Sequence, residues 1–292
     1  MKLASVLKIV LFIELFLQGV VYGDNRYDSL RQAASHNYDL KACELLVEHA
    51  LSMSNFTHKA EAYFFLAYSA KKNGMYFLAL NSYFSALDYY RKLGDDTKEA
   101  QVIENIGVIY RVGGNYEKAI EYYTDALNIK LREYDSTGIA RSYYNIGRVF
   151  RFSGQFNLAI EYLHKSYDIY LSSGNSRKIS YTANEIGIAH KLNGNYDSAE
   201  FYYSKVNECL DPRKDIWEYQ TSMVYNNMAS MLIDKENYHD AECYARYALN
   251  SNLKIKSSLK SLLYFNLGRI YEESGKIDSV IHNYELSIEG QQ

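Results

Sequence analysis

Apolar residues recur along this chain at spacings of three, four and seven, with polar residues between them. Those spacings gather apolar side chains on one face of a helix. The pattern predicts helices of two alternating kinds, joined by polar turns. GVIYRVGGNYEKAIEYYTDAL runs from Gly107 to Leu127, and GRVFRFSGQFNLAIEYLHKSY and GIAHKLNGNYDSAEFYYSKVN begin at Gly147 and Gly187.

The register holds over six copies. A small residue stands in the first helix at Ala67, Gly107, Gly147, Gly187, Ala229 and Gly268, at intervals of 40, 40, 40, 42 and 39. Seven residues on comes a turn position, at Gly74, Gly114, Gly154, Gly194, Glu236 and Gly275. Tyr76, Tyr116, Phe156, Tyr196, Tyr238 and Ile277 follow two residues later, then Ala79, Ala119, Ala159, Ala199, Ala241 and Val280. Glycine or alanine at the anchor lets a partner helix approach closely, and a glycine at the turn ends a helix with no Cβ penalty.

This pattern resembles the tetratricopeptide repeat, over about residues 60–292. The period is longer than the family's usual 34 residues. The extra length falls after the second helix, in KLGDDTKEA, EYDSTGIA, SSGNSRKIS and CLDPRKDIWEYQ, as extended helices or as loops. The single proline, Pro212, lies near a position where the family often has one. The resemblance implies an all-α fold, a right-handed superhelical solenoid of antiparallel helix pairs with a concave and a convex side. Residues 24–59 read as a degenerate leading repeat, with helices at YDSLRQAASHN and YDLKACELLVEHALSMSN. SVIHNYELSIEGQQ forms the second helix of the sixth repeat, which leaves that helix pair with an apolar outer face.

Residues 1–23 break the pattern. Lys2 and Lys8 precede the run IVLFIELFLQGVV, interrupted by Glu14 and Gln18, and Val21 and Gly23 supply small residues before Asp24. This is the layout of a secretory signal peptide cleaved after Gly23, and it predicts a periplasmic or extracellular protein. The alternative, an uncleaved anchor that holds the protein to a membrane, needs roughly 20 apolar residues, more than this run supplies.

Composition adds little beyond this. One proline in 292 residues fits long helices, and 31 tyrosines supply buried area together with a hydroxyl that can stay wet. A net charge of −3 gives no basic excess to favour nucleic acid. Cys43, Cys209 and Cys243 are odd in number and far apart, and they read as unpaired thiols.

No nucleotide-binding, hydrolase or metalloprotease motif is present, so neither an enzyme nor a cofactor is expected. Of the seven histidines, His190 stands where the two preceding repeats have Tyr110 and Phe150, and reads as core. His49 and His58 read as surface or loop residues, and no two histidines have metal-ligand spacing. Asn55-Phe56-Thr57 is a glycosylation-type triplet.

The family resemblance places ligands against the first helix of each repeat. Carried over, it marks Arg141, Tyr144, Asn145, Arg148, Arg151 and Phe152 in the third repeat. It marks Gln101, Glu104, Asn105, Val108, Arg111 and Val112 in the second, and Tyr181, Asn184, Glu185, Ile188, Lys191 and Leu192 in the fourth. Asn226, Asn227 and Ser230 follow in the fifth, and Asn266 and Arg269 in the sixth. Asn105, Asn145, Asn227 and Asn266 share one position. There an amide either holds the main chain of an extended peptide or packs within the repeat. Arg111, Arg141, Arg148, Arg151 and Lys191 form a cationic stripe, beside Tyr144 and Phe152. The expectation is a non-catalytic scaffold that takes protein or peptide segments, acidic ones by the sign of the stripe. Two other readings are open. One is a sensor or regulatory module, since similar arrays form the exported region of bacterial regulators. The other is self-association through the last repeat.

Overall fold

The computed structural model describes residues 25–36, 38–208, 215–250 and 257–289. The leader at 1–23, Cys209 and Pro212 lie outside the described residues. Among the described residues every regular element is an α-helix. Residues 25–35 form α1, paired with α2 (Leu40–Ser52). The pairs α3 (Phe56–Lys72) with α4 (Tyr76–Leu93) and α5 (Asp96–Val112) with α6 (Tyr116–Arg132) follow. Then come α7 (Ser136–Phe152) with α8 (Phe156–Ser172), and α9 (Ser176–Leu192) with α10 (Tyr196–Glu208). The last are α11 (Asp215–Asp234) with α12 (Tyr238–Asn250), and α13 (Ser257–Glu273) with α14 (Ile277–Glu289). The chain forms two compact units, one up to Tyr134 and one from Asp135. Each is a run of helix pairs, and the fold is an all-α helical solenoid. No described helix is long and apolar enough to cross a membrane.

The turn between the helices of a pair is the same object six times. Gly74, Gly114, Gly154, Gly194 and Gly275 have φ between 64° and 80°, and Glu236 at the same position has φ 60°. The next residue's N–H closes back on a carbonyl five residues earlier, as in Asn115 to Tyr110 (2.9 Å), Asn237 to Leu232 (2.8 Å) and Lys276 to Tyr271 (3.1 Å). That closure satisfies carbonyls the helix end would otherwise leave open. Glycine adopts this left-handed conformation freely, whereas glutamate does so against its Cβ.

The residues beyond the usual period are helical. In KLGDDTKEA only Gly94 and Asp95 lie between α4 and α5, and Asp95 caps α5 by accepting from the Lys98 N–H at 2.9 Å. Asp135 and Asn175 cap α7 and α9 in the same way. The longer period therefore lengthens helices, to 17 residues in α5 through α9. Asn55 of the glycosylation-type triplet is likewise a cap, accepting from the N–H groups of Thr57 and His58.

Within each pair the anchor glycine faces one large side chain. A Cβ on Gly107 would meet the Tyr123 ring at 3.0 Å, on Gly147 it would meet Leu163 at 2.7 Å, and on Gly187 the Tyr203 ring at 2.5 Å. Tyr123, Leu163 and Tyr203 are fully buried. The fifth repeat solves the same contact with Ala229 and, at the position of those large residues, Ala245, both fully buried.

Two histidines join this core. His190 on α9 stacks on Tyr202 of α10 at 5.7 Å between ring centroids, and His164 of α8 stands edge-on to both rings. Burial pulls both imidazoles below their ordinary range; each weighs on His190 through its like-charged neighbour, and Asp168 partly offsets the shift at His164. The surface reading of His49 and His58 is corrected: both sit on helices and are part-buried, with His58 stacked on Tyr27 at 3.8 Å. Cys43 is buried and Cys243 exposed, and both are free thiols.

Three outcomes follow from this packing. Glu236→Gly relieves a left-handed glutamate and raises stability by about 1 kcal/mol in urea unfolding. Gly187→Ala gains about 1 kcal/mol of helix propensity yet loses overall, because overpacking against Tyr203 costs about 1–3 kcal/mol. In a double-mutant cycle with Tyr203→Ala the combined loss is smaller than the sum of the two. Below the ordinary imidazole value of about 6.5, the unfolded chain takes up protons that folded His164 and His190 refuse. Stability therefore falls as pH drops from about 7 toward 5, and His190→Phe, which copies Phe150, flattens that fall in urea midpoints measured across the range.

Candidate functional site

The first helices of the pairs carry the stripe singled out in the sequence, and most of its polar groups are engaged across neighbouring repeats. In the first unit, Asn105 accepts from the Lys71 ammonium at 2.6 Å and donates to the Gln101 carbonyl at 2.8 Å. Glu104, expected on the open face, is instead buried and ion-paired with Lys130 of α6. A carboxylate can be buried there because its charge is paired. Arg111 stands part-exposed at the end of α5.

The second unit repeats this behaviour as a ladder. The Asn227 amide donates to Asn184 Oδ1 at 2.8 Å, and the Asn266 amide to Asn226 Oδ1 at 3.0 Å. In both rungs the sixth groove position of one repeat donates to the fifth of the repeat before it. Asn184, Asn226 and Asn266 are buried. Three of the four stripe asparagines thus make contacts within the protein. Asn145 is the exception, with no hydrogen-bond partner among the described residues.

The cations are arranged by the same rule. Arg151 donates to Glu185 Oε2 at 2.9 Å, and Arg148 lies 3.2 Å from Oε1 of the same carboxylate. Arg148 also lies over the Tyr144 and Phe152 rings, and Arg151 lies 4.3 Å from the centre of the Phe152 ring. Lys191 and Arg269, from α9 and α13, each lie 3.3 Å from Asp234 of α11, and Lys191 also donates to Ser230 at 2.7 Å. The expected cationic stripe is therefore matched by carboxylates from adjacent repeats. Glu185 and Asp234 each sit between two cations, which compensates the cost of removing them from water.

Beside the Arg148–Glu185–Arg151 group lies a cavity of about 280 Å³. Its walls are Arg141, Tyr144 and Asn145 of α7, Tyr170 of α8, and Lys178, Tyr181 and Thr182 of α9. Arg141 and Lys178 are exposed, while Tyr170 and Thr182 are buried. Burial pushes the Tyr144 phenol up, and nearby Glu185 adds to the shift against the pull of Arg148 and Arg151. Tyr144 is therefore a neutral hydroxyl at physiological pH. The cavity offers two cations, an uncommitted amide and three phenols. That set suits a polar, negatively charged segment with some apolar surface.

Sequence reasoning reached Arg141, Tyr144, Asn145 and Tyr181 but not Lys178, Tyr170 or Thr182. Lys178 lies in the first turn of α9, before the first groove position of its repeat. Tyr170 comes from a second helix, outside the face that the family pattern marks. Among the described residues no group of three or more His, Cys, Asp or Glu could hold a metal.

The chain matches the tetratricopeptide repeat family at residues 58–132 and 138–208, and again at 262–289. No curated protein matches it in sequence. Among solved structures, a tetratricopeptide repeat protein from Parabacteroides merdae ATCC 43184 is similar with TM-score 0.68 and 19% identity, over 91% of this chain and 93% of its own. The apo form of the quorum sensor NprR from B. thuringiensis is similar with TM-score 0.63 and 14% identity, over 94% and 76%. The Rap conjugation gene regulator of plasmid pLS20, in complex with the Phr* peptide, is similar with TM-score 0.59 and 19% identity, over 92% and 71%. At these identities the likeness is one of fold. With six copies of the helix-pair code and a family match over half its length, the chain belongs to the tetratricopeptide repeat family of protein-interaction scaffolds.

Proposed function

We propose that this protein is a non-catalytic scaffold that binds an extended acidic peptide segment at the α7–α9 cavity. The observation that carries the reading is the cavity itself, where Arg141 and Lys178 flank Asn145. An amide that donates and accepts matches one peptide unit of any sequence. Cations at the rim select for acidic side chains and speed encounter. Support also comes from the Rap regulator, which has a related fold and was solved with a peptide bound.

This reading moves the acid-selecting role away from Arg148, Arg151, Lys191 and Arg269. Glu185 and Asp234 hold those cations in place. Their part is to stiffen the faces that flank the cavity. The regulatory alternative is compatible with the same site, because a sensor needs a ligand pocket, and the quorum sensor NprR shares the fold. We further propose export, on the strength of the leader at residues 1–23.

Binding is tested with fluorescent peptides of alternating acidic and apolar residues, set against peptides with the charges reversed. The double variant Arg141→Glu/Lys178→Glu weakens acidic-peptide binding at least tenfold, about 1.4 kcal/mol, and flattens its salt dependence. Asn145→Ala weakens binding too, with the salt dependence kept. Unchanged affinity in the double variant would sink the acidic reading. Mass spectrometry of the native protein checks export: the mature chain begins at Asp24, and an intact Met1 in the exported fraction argues for an anchor.

A further inference from the structure

We propose that the outer face of α13 and α14 is a docking surface for a second copy of this chain. In the earlier repeats, the positions that meet the following helix pair are buried. Leu87 of α4 is 5% exposed, Asn184 of α9 is 6% exposed and Asn226 of α11 is 9% exposed. Their equivalents in the sixth repeat are Ile288 and Phe265, and these are 62% and 46% exposed. Leu262 and Ile281 beside them are also more than half exposed. On α14, Ile277, Ile281, Tyr284 and Ile288 are spaced four, three and four apart, which sets them on one stripe. Phe265 leans on Tyr284 at 5.7 Å between ring centroids, so the stripes of the two helices join into one patch.

The chemistry of this face selects its occupant. Within the second unit, each fifth groove position accepts an amide hydrogen bond from the next repeat, Asn184 from Asn227 and Asn226 from Asn266. At the next rung stands Phe265, which accepts nothing. A seventh repeat of the same kind would leave its own asparagine buried without a partner, at a cost. Glu200 and Glu242 occupy the place of Ile281 in the two preceding repeats, and there too the sixth repeat has exchanged a polar residue for an apolar one. The face has the geometry of a stacking interface but apolar chemistry, so it fits another apolar helix-pair face. The same face on a second copy satisfies that condition, and a two-fold contact uses each apolar residue twice. Contiguous apolar surface of this kind marks interaction sites in soluble proteins.

The test uses the full chain in sedimentation velocity at protein concentrations from about 1 to 100 µM, where interfaces of modest area associate. The wild type shifts from monomer to dimer across that range. Phe265→Asn/Ile281→Glu, which restores the residue types of Asn226 and Glu242, stays monomeric with an unchanged unfolding midpoint. Phe77→Glu, at an equally exposed apolar residue on α4, leaves dimerisation intact. A wild type that remains monomeric throughout overturns the proposal. So does a dimer that persists in the Phe265→Asn/Ile281→Glu variant, or one that Phe77→Glu abolishes while that variant does not.

Discussion

How closely two antiparallel helices approach at one small residue governs everything else in this fold. At Gly107, Gly147 and Gly187 there is no room for a methyl group beside the side chain opposite. That contact sets the spacing within a pair. The spacing sets which residues reach the neighbouring pair, and those residues set what remains for a ligand. The fifth repeat shows that the distance, not the glycine, is the requirement. Ala229 is accommodated there because its counterpart has shrunk to Ala245.

A solenoid of pairs must also join one repeat to the next, and here much of that joining is polar. Asparagine amides and shared carboxylates link residues 34 to 43 apart in sequence. Hydrogen bonds and ion pairs of this type are weak in net stability when exposed. Their directionality fixes register, which a surface of alanine and tyrosine does loosely. The Arg148–Glu185–Arg151 group illustrates the trade: two cations that could have gripped a ligand hold a neighbour instead. Binding capacity is left where the ladder has a gap, at Asn145.

This division explains what was legible in the sequence. The packing code is local: anchor, turn and second-helix alanine are separated by fixed short intervals, so periodicity reveals them. The left-handed turn was readable even at Glu236, because its place in the register gave it away. The engagement of Arg151 by Glu185 was not readable from either repeat alone, since it depends on which positions of adjacent repeats face each other. Reading the stripe one repeat at a time made five cations look like a binding surface. Pairing the twelfth groove position of one repeat with the fifth of the next would have exposed the neutralisation. Lys178 and Tyr170 escaped for a different reason. They enter the cavity from a helix start and from a second helix, which a one-face pattern does not mark.

A repeat array uses one backbone geometry many times, so its specificity must come from departures. Three departures in this chain are informative because the register defines what should have been there. Asn145 lacks the intramolecular partner its counterparts Asn105, Asn227 and Asn266 have. Phe265 replaces an acceptor with a ring. His190 places an imidazole where Tyr110 and Phe150 put neutral rings, which makes one layer of the core sensitive to protons. None of the three disturbs the Gly–Tyr contacts that set helix spacing. The fold can therefore tolerate all of them, and each is free to serve binding, assembly or response to pH without being constrained by the packing code.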